Sequence, residues 1–147
     1  MNVFQRLHHV CIVVPDMSAA VAYYESIGIG PWHEYPPLTE YIDLKVPDRD
    51  AFLNLDYRYS DAVGIQIQLV QPGVAESPQR EFLRRTGGGV FHLGFSVENV
   101  AESTEQAVRA GMNSWMTGRR ADGSGFTYFD SAADAGVTLE IRESKRK

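Results

Sequence analysis

The chain has 147 residues, 44% of them hydrophobic and 22% charged, which suits one globular domain with a core of its own. A net charge of −5 argues against nucleic acid as a partner, since phosphate binding calls for a basic face. No apolar run approaches the length of a membrane helix, and a single cysteine, Cys11, cannot form an internal disulfide, so the expected setting is the cytoplasm, with no leader segment ahead of the first strand.

In chain order, the β-branched, alternating stretch 6–14 predicts a strand ended by Pro15-Asp16. Asp16 or Ser18 can cap a helix over Met17–Ser26, closed by Gly28 and Gly30. Segments 32–35 and 40–46 read as strands around the Pro36-Pro37 turn, and the polar, tyrosine-rich 48–61 as a loop or irregular hairpin. Strong alternation over 64–71 predicts a strand stopped by Pro72-Gly73. Ser77-Pro78 then opens a short linking helix that ends at Gly87-Gly88-Gly89. The remainder predicts strand 90–97, helix 100–110, and strands 113–117, 126–130 and 136–142.

A repeat underlies this order. HVCIVVPDMSAAVAYYESIGI, starting at His9, lies without a gap over HLGFSVENVAESTEQAVRAGM, starting at His92. Each copy runs from a histidine through an apolar strand and a polar break to a helix and a glycine. The chain is therefore expected to be α+β: two βαβββ repeats, 1–73 and 90–147, joined by a linker helix in 74–89. Together they should form one curved, eight-stranded half-barrel sheet with helices outside.

Side chains alternate between the two faces of a strand. On the four strands that begin and end the repeats, one face is apolar, interrupted only by His8. The opposite face carries His9, Gln68, His92 and Glu140 near the strand centres. Two imidazoles, an amide oxygen and a carboxylate form a donor set for a divalent transition metal, with Co, Mn, Ni, Zn and Fe all acceptable.

LHHVCIVVPDMSAAVAYY, IQIQLVQP, GGGVFHLGFSVENV and AGVTLEI resemble the sequence marks of the vicinal oxygen chelate superfamily. That group includes glyoxalases, methylmalonyl-CoA epimerases, extradiol dioxygenases and bleomycin-resistance proteins. The resemblance implies metal ligands at His9, Gln68, His92 and Glu140, a homodimer, and greatest similarity to the methylmalonyl-CoA epimerases. Segment 39–42 reads Thr39-Glu40-Tyr41-Ile42 where that family carries Glu-x-Gly-Val.

The expected function is a metal-dependent epimerase or isomerase. It would abstract a proton next to a carbonyl of a small substrate such as an acyl-CoA, with Glu140 as ligand and base. Glu40 or Asp43 is the candidate second acid or base, and Arg119-Arg120 the candidate contact for an anionic group. A glyoxalase-type lyase, an Fe(II) ring-cleaving dioxygenase and a metal-free small-molecule binding or resistance protein are the alternatives.

Overall fold

The computed structural model describes residues 1–147. The first repeat contains β1 (Leu7–Val13), α1 (Met17–Ser26), β2 (His33–Glu34), β3 (Asp43–Lys45), α2 (Arg49–Leu53), β4 (Asp56–Ser60) and β5 (Gln66–Gln71). Helix α3 (Pro78–Thr86) links it to the second repeat. That repeat contains β6 (Gly89–Ser96), α4 (Val100–Arg109), β7 (Ser114–Arg119), β8 (Gly125–Phe129), α5 (Ala132–Ala135) and β9 (Thr138–Glu143). No helix is long and apolar enough to cross a membrane.

The duplication extends to single hydrogen bonds. Asp16 Oδ1 accepts from the Ala19 amide at 3.0 Å to start α1, and Asn99 Oδ1 accepts from the Glu102 amide at 3.0 Å to start α4. These are equivalent positions of the two copies, each satisfying an amide that the first helical turn leaves free. Ser77 caps α3 in the same manner, and Gly87 ends it with a φ of 79°, a left-handed conformation that glycine adopts without cost.

The strands form one sheet in the order β2-β4-β5-β1-β6-β9-β8-β7-β3. Strands β1 and β6 pair antiparallel at its centre, and each runs parallel to the last strand of its own repeat, β5 or β9. The two halves therefore mirror each other outward from the β1–β6 seam. The sheet has nine strands rather than eight because β4 forms within 48–61; β3, for its part, leaves its own repeat and pairs with β7, Leu44 opposite Gly118. Segment 48–61, expected as a loop or irregular hairpin, forms a short helix and a regular strand. Asp48 caps the single-turn helix α2 through the Ala51 amide at 2.9 Å, and β4 pairs with β5 along its full length. Its polar residues had hidden the alternation: Tyr57 turns inward and is buried, whereas Asp56 and Arg58 face out and pair with each other.

Two apolar layers sandwich the sheet. On the helix side Val100 and Ala107 of α4 pack on Phe129 and Ile141, joined by Val3. On the concave side Cys11, Val13, Val70 and Met116 rise from the sheet against Phe52, Leu55, Tyr41 and the rings of Tyr57, Phe126 and Tyr128. Phe129 is fully buried, so Phe129→Ala is expected to cost about 3–5 kcal/mol in urea denaturation, the usual range for an emptied aromatic site.

Candidate metal centre

Register places the site on the seam between the repeats. Across β1, β6 and β9, His9 stands opposite Gly94, and Gly94 opposite Glu140. In the adjacent row Gln68, Cys11, His92 and Thr138 are aligned. Gly94 is the gap in the first row, and a Cβ there would overlap the imidazole of His9. With only hydrogen in that place, the ring lies across β6 and reaches both neighbours. His9 Nε2 is 2.9 Å from His92 Nε2, and these two nitrogens lie 3.3 Å from Oε1 and Oε2 of Glu140 respectively. All three side chains are buried.

The surroundings favour the neutral forms of all three. Burial raises the Glu140 carboxyl to about 8, against smaller opposing pulls from the Arg142 charge and the Tyr128 hydroxyl. Burial lowers His92 to about 3. His9 is also lowered well below the usual range, first by burial and then by the nearby histidines. Three desolvated groups thus direct their donor atoms at one another with no positive charge among them. Beyond the cluster, Nδ1 of His9 meets Nδ1 of His8 at 2.8 Å, while the buried Nδ1 of His92 has no partner. Donor atoms about 2.0–2.2 Å from one ion lie roughly 3.0–3.4 Å from each other, close to the spacing seen here. The residues fit a divalent metal.

His9 and Glu140 line the floor of a solvent-open concavity, and the fully buried His92 lies against both. Gln68 is buried in the same wall, its Nε2 donating to Gln66 Oε1 at 2.7 Å, an arrangement that leaves its amide oxygen free to act as a ligand. Tyr35, Tyr41, Tyr57, Tyr128, Arg120 and Arg142 line the remainder, with Phe52, Phe126 and Leu38. Strands β2 and β3 lie at opposite edges of the sheet, so the segment between them must cross its open side. That crossing supplies Tyr35, Leu38 and Tyr41 as a roof.

The pattern of the glyoxalase/bleomycin resistance protein/dioxygenase superfamily matches residues 8–129. The chain belongs to this superfamily. Human mitochondrial methylmalonyl-CoA epimerase is 32% identical over 96 residues, covering 65% of this chain and 48% of the relative. The bovine enzyme is 30% identical over the same extent. The chain thus spans about half the length of the curated relatives it matches. Among solved structures, methylmalonyl-CoA epimerase from Mycobacterium tuberculosis superposes with a TM-score of 0.74 at 21% identity, covering 98% of this chain and 91% of that one. A variant of the Streptomyces coelicolor epimerase in complex with 2-nitronate-propionyl-CoA gives 0.74 at 20% identity, covering 97% and 99%. These likenesses establish the shared fold.

Within this superfamily fold, the residues singled out from sequence have different fates. His9, His92 and Glu140 meet, and Gln68 joins them in the cavity. Arg119 and Arg120 separate. Arg119 bonds Thr127 Oγ1 at 2.9 Å and the Phe126 carbonyl, while Arg120 enters the cavity and donates to the Tyr41 hydroxyl at 3.1 Å. Glu40 is not among the lining residues. Its carboxylate is held by Lys145 at 2.7 Å and lies 3.6 Å from Arg120 Nε. Asp43 is exposed on the edge strand β3. Sequence reading passed over Tyr41 and Tyr128. Alternation along β8 sets Tyr128 on one face with Phe126, the available signal for the former residue; Tyr41 becomes legible only once its segment is known to cross the sheet.

These shifts predict a specific pH response of the metal-free protein. By about pH 7.5 the buried histidines are almost wholly neutral both folded and unfolded, so they drop out. Glu140 binds its proton more tightly folded than unfolded, so its contribution is complete below about 4.5 and fades as pH rises through about 8. Between about pH 7.5 and 8.5 the metal-free protein should lose stability, by less than about 1.4 kcal/mol per pH unit. Glu140→Gln should flatten that slope in chemical denaturation at several pH values.

Proposed function

We propose that this chain is a divalent-metal-dependent epimerase of the methylmalonyl-CoA epimerase type, with His9, Gln68, His92 and Glu140 as ligands and Glu140 also as base. The carrying observation is the buried His9–His92–Glu140 cluster, its donor atoms at one ion's spacing, in the cavity that also holds Gln68. A metal-free binding protein would have no reason to desolvate those groups together. The ion supplies Lewis acidity, favouring negative charge on a substrate carbonyl oxygen, and Co, Mn, Ni, Zn or Fe suits this donor set.

The chain's own residues do the rest. Glu140 takes the proton from the carbon next to the carbonyl. Burial favours the neutral carboxyl that results once the proton has been transferred. Tyr128, paired with Glu140 across β8 and β9, orients the carboxylate. Phe52, Phe126 and Leu38 exclude water from the reacting carbon, and Arg120 and Arg142 favour an anionic substrate. A malonyl-type acyl-CoA, with its acidic carbon between a thioester and a carboxylate, has that chemistry. The buried free thiol of Cys11 accords with a reducing compartment such as the cytoplasm.

Protein purified without chelator should carry close to one divalent ion per chain by elemental analysis. Gly94→Ala, which pushes the His9 ring out of line, should weaken metal affinity by about 10- to 100-fold, as changes that misorient a ligand do. Incubated with methylmalonyl-CoA in D2O, the metal-loaded protein should place deuterium at the acidic carbon. Glu140→Gln should abolish that exchange with the fold retained; undiminished exchange would remove Glu140 as base.

A further inference from the structure

Epimerisation needs a proton removed from one face of a carbon and returned to the other. Glu140 provides for one face, from the sheet floor. No second carboxylate faces it: Glu40 is held at the rim by Lys145 and Arg120, and Asp43 is exposed on the edge strand. Glu143 also lines the cavity, but its carboxylate is committed elsewhere: it accepts from the Val100 amide at 2.9 Å and pairs with Arg146. The roof offers hydroxyls instead, and the sheet order fixes which side they approach from. Segment 35–42 crosses between the two sheet edges and places Tyr35 and Tyr41 in the lining of the cavity that Glu140 also lines.

Of the two, Tyr41 is equipped for proton transfer. It is buried, Arg120 Nη2 donates to its oxygen at 3.1 Å, and the same guanidinium stands 4.8 Å from the ring centre. Arg120 is itself immobilised by Ser124 Oγ at 3.2 Å and the Glu143 carbonyl at 3.3 Å. Because the arginine donates to one lone pair of the phenol oxygen, the phenolic hydrogen points away from it, toward the neighbouring Tyr35 hydroxyl that shares the roof. A cation at hydrogen-bond distance stabilises the phenolate left after the proton departs.

We propose that Tyr41 is the second acid/base group of this site, with Arg120 as its positioning partner and phenolate counter-charge. The inference rests on the epimerase reading and adds to it the group on the opposite face. In one direction the C–H bond breaks and its proton joins the Glu140 carboxylate, leaving an enolate. The Tyr41 O–H bond then breaks as a new C–H bond forms on the far side. Protonated Glu140 and the Tyr41 phenolate are the starting state for the reverse direction, and proton exchange with water resets them. Burial favours the protonated phenol, so Tyr41 waits as an acid until the enolate forms.

Each epimer of methylmalonyl-CoA is incubated separately in D2O with Co(II)-loaded wild type, Tyr41→Phe and Arg120→Gln. Deuterium uptake and epimer composition are followed. Wild type should exchange and invert both. Tyr41→Phe should keep deuterium uptake for the epimer whose hydrogen faces Glu140, lose it for the other, and invert about 10²- to 10⁴-fold more slowly. Arg120→Gln should show the same one-sided loss, about tenfold or more, and it carries the test if the phenylalanine variant does not fold. In calorimetry, Tyr41→Phe should also bind a nitronate analogue of the enolate about tenfold more weakly. Inversion at the wild-type rate, or equal loss of both exchange reactions in a folded variant, would overturn the role of Tyr41. Wild type that exchanges neither epimer would instead overturn the epimerase reading, a result visible before any substitution is made.

Discussion

Everything in this molecule that bears on chemistry depends on how closely β1 and β6 allow His9 to approach β9. The missing side chain at Gly94 is what permits it, and the two imidazole nitrogens and the Glu140 carboxylate come to within 3.3 Å of one another as a result. Groups of that kind are costly to bury together without charge compensation. The apolar layers on both faces of the sheet are what hold them there. A cation would turn this energetic liability into the most favourable interaction in the cavity, since an ion's charge is compensated and the donors are already assembled.

The duplicated architecture explains why such a site arises at a seam. Each repeat contributes a histidine from its first strand and an amide or carboxylate from its last, and each pair lies on parallel neighbours. Neither half could surround an ion alone. The departure from two-fold regularity is β3, which leaves the first repeat to pair with the edge of the second. That one crossing roofs the cavity, brings Tyr35 and Tyr41 over the floor, and sets Glu40 within reach of Lys145 and Arg120. Symmetry builds the floor, and its violation builds the roof.

Much of this was legible in the amino-acid order. The offset that places His92 on His9 also places Asn99 on Asp16, and in the fold the two histidines touch while Asp16 and Asn99 make the same helix cap. Period-2 reading separated His9 from His8 and put Gln68 and Glu140 on the cavity side. Local pattern could not reveal that 43–45 pairs with the other repeat, because the partner of an edge strand is a tertiary choice. It also passed over β4, whose Asp56 and Arg58 satisfy each other on the outer face and dilute the alternation. The roof tyrosines were obscured for the same reason: their meaning depends on a chain path, not on spacing.

The central claim is that one ion sits between two imidazoles and a carboxylate at the seam. X-ray absorption at the cobalt edge of Co(II)-loaded protein examines it directly. The account predicts a first shell of nitrogen and oxygen at about 2.0–2.2 Å, with outer-shell scattering from two imidazole rings that falls to one ring in His92→Ala. A shell of oxygen alone, or an imidazole count unchanged by that substitution, would contradict it.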